Sequence, residues 1–308
     1  FAGFLSLAIF ALSFFSASGQ ARDASTIIRD SEIESYFKEW SAPLLKAAQI
    51  PDGGVNVILV QNNELNAFVA GGANIFFYTG LIQKTESPGE LMGVFAHELG
   101  HIAGGHLIAQ RDAFERASYE SILGTVIGIG AAVLSGNGGA GNAIIAGSQS
   151  VAQRKFLAHS RVHESAADQA ALSYFETAKY NPDGLGSFLE KIKDQELLPA
   201  SKQSEYVRTH PLTRNRIEAV HNRAEQSPYK NNAFPAEWYD QHARMKAKLV
   251  GFISPGRVAW EYDDRDTSIP AEYARAIAAY RENRIDEALS KIDALIALEP
   301  NNPYFHEL

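Results

Sequence analysis

The sequence predicts a mainly helical α+β fold, with a small β-sheet in its first half and a helical segment at its end. Three observations predict it. Most of the chain has apolar residues at helical spacing, short strand-like runs lie between residues 55 and 78, and two helical stretches lie between residues 270 and 300. The 308 residues, 45% hydrophobic and 21% charged, indicate a globular protein of about two domains.

Charge and cysteine content exclude several classes of function. The net charge is -8, and phosphate binding needs a basic face, so we expect no nucleic-acid partner. The sequence contains no cysteine, which excludes cysteine catalysis, disulfides, iron–sulfur clusters and cysteine-ligated zinc. Any bound metal must therefore be held by His, Asp or Glu.

The first 21 residues, FAGFLSLAIFALSFFSASGQA, carry no charge and change from apolar to small residues after Phe15. This pattern predicts a secretory signal peptide, with an uncleaved membrane anchor as the alternative. Both interpretations predict export of the remaining chain. Because residue 1 is Phe and residues 301–308 resemble the start of another helical repeat, we expect truncation at both ends.

The N-terminal half is expected to contain a helix over 24–48, a strand over 55–60 and a hairpin over 67–78. Another helix should begin at Ser87, which with Glu90 forms a capping box, and should run to about residue 110.

The stretch 121–147 consists of two apolar pieces separated by a glycine-rich segment, and neither piece is long enough to span a bilayer. A buried helical hairpin is one interpretation, and peripheral contact with a membrane surface or with substrate is the other.

Further along the chain we expect a helix from about residue 150, a break at 181–183 followed by a helix to about residue 194, and a helix over 214–224. Residues 270–300 resemble one tetratricopeptide unit, although an unrelated helical hairpin would produce a similar pattern.

The strongest chemical signal is the run His97-Glu98-Leu99-Gly100-His101. Residues four apart lie on one face of a helix, so both imidazoles can bind one Zn²⁺. Zinc lowers the pKa of a bound water to about 7, and Glu98 can take its proton as general base. The alternative is a buried helix whose two histidines are hydrogen-bonded.

A catalytic zinc site also needs a third protein ligand, and Glu164 is the candidate. Asp168 follows one helical turn later and can accept a hydrogen bond from a ligand histidine, with His97 as the expected partner. An exposed acidic face is the alternative, but the small residues around this pair are typical of a helix packed closely against another.

His210 and Arg216 complete the candidate residues. His210 precedes a proline in a predicted loop, where it can either donate to the transition-state oxyanion or close the zinc site as a fourth ligand. Arg216 can also stabilise an oxyanion. Ordinary roles at a loop and a helix start are the alternative for both.

Four motifs together resemble the M48 zinc metalloproteases: NIFFYTGLI at 74–82, HELGH at 97–101, ESAAD at 164–168 and HPL at 210–212. The resemblance implies a gluzincin-type domain with zinc ligands His97, His101 and Glu164 and with Glu98 as the catalytic base. It also implies that His210 can plug the zinc, and it matches Arg216 to the arginine of the family.

On this basis the chain divides into a signal peptide (1–21), a metalloprotease domain (22–225), a linker or helical connection (226–267) and a tetratricopeptide-like repeat (268–308). The resemblance is strongest to the exported branch of the family. It implies a periplasmic location, misassembled outer-membrane proteins as substrates, chaperone activity in protein quality control and contact with the barrel-assembly machinery.

Two rival functions remain open. One is a chaperone or adaptor in which zinc is structural and closed off by His210, although a structural site has no use for Glu98. The other is a peptidase for small peptides.

Overall fold

In the computed structural model, the described residues are 26–106, 108, 109, 112, 127 and 138–308. The predicted signal peptide (1–21) and most of the apolar segment 121–147 lie outside them. None of the helices within these ranges is long and apolar enough to cross a membrane.

The β-sheet has four strands in the spatial order β1-β2-β4-β3. They are β1 (Thr26–Ile28), β2 (Asn56–Gln61), β3 (Ala67–Ala70) and β4 (Asn74–Tyr78). β2 pairs with β4 in parallel, and the other two pairings are antiparallel. The predicted hairpin is present as β3 and β4, in which Phe68 lies opposite Phe76 and the two rings stack at 5.0 Å. β3 is therefore an edge strand.

The described helices are numbered in chain order. They are α1 (Ser31–Ala47), α2 (Thr79–Lys84), α3 (Pro88–Ala103), α4 (Gly138–Ala178), α5 (Asp183–Ile192), α6 (Glu205–Thr209), α7 (Arg214–Gln226), α8 (Ala236–Ile253), α9 (Val258–Glu261), α10 (Ile269–Arg281), α11 (Ile285–Leu298) and α12 (Pro303–Glu307). The predicted fold class, mainly helical α+β with a helical C-terminal part, is confirmed.

The N-terminal helix begins later than the sequence pattern predicts. Residues 26–28 form a strand on β2 instead of a first helical turn, because sheet pairing with a distant segment outweighs local helical preference. Asp30 then caps the helix by accepting a hydrogen bond from the Ile33 backbone at 2.9 Å.

Helix α3 lies at the centre of the main core, and its apolar side chains from Leu91 to Leu99 are completely buried. Ser87 caps it by accepting from the Glu90 backbone at 3.2 Å, while the Glu90 carboxylate accepts from the Glu86 backbone at 2.8 Å. This reciprocal cap begins the helix at the predicted place.

Two glycines let α3 approach its neighbours backbone to backbone. A Cβ on Gly93 would lie 2.5 Å from the Leu185 nitrogen of α5, and a Cβ on Gly100 would lie 2.8 Å from the Ala167 carbonyl oxygen of α4. These contacts fix the position of α4 against the histidine-bearing face of α3.

Helix α8 lies within the region expected to connect two domains, and it belongs to two hydrophobic clusters. Trp238, Met245 and Leu249 are part of the main core, whereas Ala247 and Val250 pack with residues of α10. The C-terminal helices are therefore joined to the sheet-containing part through a shared, packed helix.

Candidate active site

The paired histidines lie one turn apart on the last two turns of α3. His97 is completely buried, and the His101 side chain is 12% exposed. Their Nε2 atoms lie 3.1 Å apart, so the two nitrogens face one common position. This is the arrangement that the helical spacing predicts.

Glu164 reaches both histidines from α4. Its Oε2 lies 3.4 Å from His97 Nε2, and its Oε1 lies 3.3 Å from His101 Nε2. Burial alone would raise the pKa of this carboxyl, but His210, His101 and His97 hold the pKa well below its usual range. Glu164 is therefore an anion at the centre of the cluster.

His210 follows the short helix α6 and closes one side of the cluster. Its Nε2 lies 3.2 Å from the Ala67 carbonyl oxygen of β3, to which it can donate. Its Nδ1 faces inward, 3.2 Å from Glu164 Oε2 and 3.4 Å from His97 Nε2. The structure thus brings His210 into the donor set.

Glu98 is buried beside these donors. Its side chain is 1% exposed, and neither carboxylate oxygen has a hydrogen-bond partner among the described residues. His210 Nε2 lies 3.4 Å from its Oε1. Burial raises the pKa of Glu98, which suits a group that takes up a proton.

Asp168 lies behind His97, with its Oδ1 2.9 Å from His97 Nδ1. A histidine whose Nδ1–H donates to a carboxylate presents the lone pair of Nε2 to the cluster. Burial would lower the pKa of His97, but Asp168 and Glu164 raise it to about 10, so a proton is held on Nε2 until a cation such as a metal ion would take its place.

Arg216 lies beside the carboxylates of Asp168 and Glu164. Its Nε and Nη2 donate to Asp168 at 2.7 and 2.9 Å, and its Nη1 lies 3.0 Å from Glu164 Oε2 and donates to the Pro211 carbonyl. Its side chain is 3% exposed. The guanidinium is thus engaged by the two carboxylates, and the expected role of Arg216 in stabilising an oxyanion stays a prediction.

Sequence reasoning did not select His106 or Tyr206. His106 Nδ1 lies 3.0 Å from His101 Nδ1, and the buried Tyr206 ring lies 4.6 Å from the His210 ring. The Gly104-Gly105 pair after the zinc-binding motif was the available signal for His106, since two glycines allow the chain to turn back on the helix.

The donor set fits zinc. One ligand atom from each of His97, His101, Glu164 and His210 lies within 4.8 Å of the other three. Imidazole nitrogens and a carboxylate oxygen are zinc's common ligands in proteins that lack cysteine at the site. The buried carboxylate of Glu98 beside them matches the place of a general base.

This fold and this cluster define a metallopeptidase of the type with two helix-borne histidines and a distant glutamate. A profile of peptidase family M48 matches residues 28–224, and the chain belongs to that family. The chain is 26% identical over 297 residues to the β-barrel assembly-enhancing protease of Escherichia coli (strain K12). It is 25% identical over 303 residues to the protein of the same name from Yersinia pestis.

Both alignments cover 94% of this chain and 60% of the relative. A putative β-barrel assembly-enhancing protease of Vibrio cholerae is 23% identical over 291 residues. The chain thus spans about three fifths of the length of the curated relatives it matches.

Proposed function

We propose that this chain is a periplasmic zinc-dependent endopeptidase that cleaves unfolded or misassembled outer-membrane proteins. The observation that carries the proposal is the cluster of His97, His101 and Glu164 beside the buried carboxylate of Glu98. The three cluster residues would hold one zinc ion per chain.

Zinc in such a site supplies Lewis acidity, which polarises a carbonyl and lowers the pKa of water. Glu98 removes a proton from the attacking water as the water oxygen bonds to the scissile carbonyl carbon. Glu98 then returns that proton to the amide nitrogen as the C–N bond breaks. Asp168 fixes the tautomer and orientation of His97, and Arg216 holds Asp168 in place.

The edge strand β3 supports an extended peptide as substrate. Its inner edge pairs with β4, and it begins at Ala67, whose carbonyl oxygen lies beside His210. A substrate that pairs with a strand edge is recognised mainly by its backbone, which favours unfolded over folded proteins. The name of the curated relatives favours proteins that fail to assemble into β-barrels.

The location and partners rest on the sequence pattern and on the relatives. The apolar residues 1–21 favour export, and the curated relatives favour the periplasm of an envelope-assembly system. The helices α10 and α11 would contact the barrel-assembly machinery as a tetratricopeptide-like unit. Peripheral membrane contact through 121–147 stays a prediction.

His210 supports a second function, that of a chaperone or adaptor with a latent or structural zinc site. Its inward Nδ1 lies close enough to Glu164 and His97 to act as a fourth ligand. A closed set of four protein ligands is typical of structural zinc. The same residue can instead donate to the oxyanion once it leaves the cluster.

Casein cleavage by the purified chain tests the proposal, with zinc content measured on the same samples. Glu98→Gln removes the base and keeps the shape of the side chain, so we expect a loss of cleavage of at least 100-fold with about one zinc retained. Glu86→Gln, an exposed glutamate just before α3, is the matched control. Cleavage by Glu98→Gln at the wild-type rate would overturn the proposal.

His210→Ala separates the two roles of His210. Faster casein cleavage than wild type indicates that His210 closes the site, whereas slower cleavage with unchanged zinc content indicates an oxyanion donor. If neither wild type nor His210→Ala cleaves casein while both hold zinc, the chaperone function is favoured.

A further inference from the structure

A tight turn folds His106 back onto the end of the zinc-binding helix. Helix α3 ends at Ala103, and Gly105 has a φ of +61°, in the left-handed region that favours glycine. A Cβ on Gly104 would lie 2.8 Å from Cδ2 of the His106 ring. Both glycines are thus needed for the position that this ring occupies.

His106 contacts both helices that supply the metal ligands. Its Nδ1 lies 3.0 Å from His101 Nδ1, on the side of the His101 ring opposite to the cluster. Its ring stacks on His163 at 4.3 Å with an interplanar angle of 6°. His163 directly precedes Glu164, so this stack lies at the base of the third ligand.

The direction of the hydrogen bond between His101 and His106 follows from the proposed role of His101 as a metal ligand. Nε2 of His101 faces Glu164 and His97, and if it binds a metal ion, the proton of this ring would lie on Nδ1, which could then donate to His106 Nδ1. Ligand histidines in zinc sites donate their second ring N–H to an acceptor that fixes ring and tautomer. For His97 this acceptor is Asp168, and for His101 it would be Nδ1 of His106.

We propose that His106 is a positioning residue that orients His101 for metal binding and couples the end of α3 to the glutamate-bearing helix α4. The proposal rests on the proposed metal site and adds a residue to it. His106 lies behind a ligand and touches neither substrate nor reacting atoms, so its effect is on metal affinity and on the geometry around the ion.

The test measures Zn²⁺ dissociation constants by competition with a chelator and the visible absorption of the Co²⁺-substituted protein. For His106→Ala we expect zinc affinity to fall about 10- to 100-fold, with a changed Co²⁺ spectrum. His106→Asn keeps a carbonyl acceptor and should restore most of the affinity. His306→Ala, on an exposed histidine, is the control and should match wild type.

Gly104→Ala tests the same contact without replacing any histidine. The added methyl displaces the His106 ring, so zinc affinity should fall as in His106→Ala, and the double variant should lose no more than either single variant. Thermal unfolding of the metal-free proteins identifies variants that fail to fold. If His106→Ala is one of them, the zinc affinity and Co²⁺ spectrum of His106→Asn test the proposal in its place.

Wild-type affinity and an unchanged Co²⁺ spectrum in folded His106→Ala would overturn this inference and leave the proposed peptidase intact. A wild-type chain that binds neither Zn²⁺ nor Co²⁺ would overturn the proposed function itself.

Discussion

At the residue scale, Asp168 connects His97, a proposed metal ligand, to the guanidinium of Arg216. It accepts from His97 on one side and from Arg216 on the other, and it is 2% exposed. Burial would raise the pKa of this carboxyl, but His97 and Arg216 lower it. The negative charge of Asp168 is thus stabilised by His97 and Arg216, and Asp168 in turn accepts a hydrogen bond from each of them.

Asp168→Asn should therefore damage stability and metal binding together. Loss of the charge leaves Arg216 buried with a weaker partner, which we expect to cost about 3–5 kcal/mol of unfolding free energy. Zinc affinity should fall about 10- to 100-fold, because His97 loses its carboxylate acceptor. Urea unfolding and chelator competition measure the two effects.

The matched control lies on the same helix. Glu176→Gln removes a carboxylate that pairs with Arg223 at 2.8 Å but is 27% exposed, so it should cost at most about 1 kcal/mol and leave zinc affinity unchanged. Equal effects of the two substitutions would contradict the role given to Asp168.

At the scale of elements, the distance between α3 and α4 sets the ligand geometry. Gly100 lies between the two histidines in sequence and contacts the backbone of Ala167, three residues after Glu164. The site therefore depends on a glycine that binds nothing itself.

Gly100→Ala should push these two helices apart. Its Cβ would lie 2.9 Å from the Ala167 Cα, so we expect a loss of about 1–3 kcal/mol in stability and weaker zinc binding. Gly256→Ala, where the added methyl meets no atom within 4 Å, is the control. If Gly100→Ala has the same stability in urea and the same zinc affinity as wild type, this account of the packing is wrong.

The sequence allowed the prediction of α3, its cap and its ligand spacing, because helical periodicity and capping are local. The closeness of α4 was also predictable from the small residues around Ala167. The strand at 26–28 and the pairing of Arg216 with Asp168 were not, because each depends on contacts between segments far apart in the chain. The turn that places His106 is local, and the Gly104-Gly105 pair was its signal.

At the scale of the whole molecule, a buried acid joins the N-terminal helix to the C-terminal helices. Glu32 of α1 is fully buried and accepts from Tyr36 at 2.8 Å, from Tyr273 of α10 at 2.9 Å and from Lys248 of α8 at 3.0 Å. These contacts add to the apolar packing of α8 on both sides.

Glu32→Gln should loosen this junction. The substitution removes one of two carboxylates from Lys248, which keeps Asp30 at 3.0 Å, so we expect a loss of about 1.5–3 kcal/mol in urea unfolding. Glu34→Gln, whose partner Arg29 is 82% exposed, should cost at most about 1 kcal/mol. A Glu32→Gln protein as stable as Glu34→Gln would show that the junction rests on apolar packing alone.

Acid should weaken the packing of α8 against α2 through His242. Burial, then Lys246, lowers the pKa of His242 to about 3, while its Nε2 lies 2.8 Å from the Thr85 hydroxyl. As the pH falls below about 6.5, the ordinary pKa of histidine, His242 takes up a proton in the unfolded chain but stays neutral in the folded chain. The free energy of unfolding therefore decreases as the pH falls toward 3.

Between pH 7 and pH 5 this group should account for about 2 kcal/mol of lost stability. Over the same interval, the free energy of unfolding of His242→Gln should decrease by about 2 kcal/mol less than that of wild type. His306→Gln, at an exposed histidine, should behave as wild type. An identical acid response of His242→Gln and wild type would rule out this assignment.

Metal removal and restoration tests the central claim most directly, namely that this cluster holds a catalytic zinc. The chain is stripped with a chelator, zinc is added back in steps, and bound zinc and casein cleavage are measured together. We predict that stripping abolishes cleavage, that one zinc per chain restores it, and that Glu164→Ala binds zinc at least 10-fold more weakly. Undiminished cleavage by the stripped chain, or zinc binding unaffected by Glu164→Ala, would contradict the account.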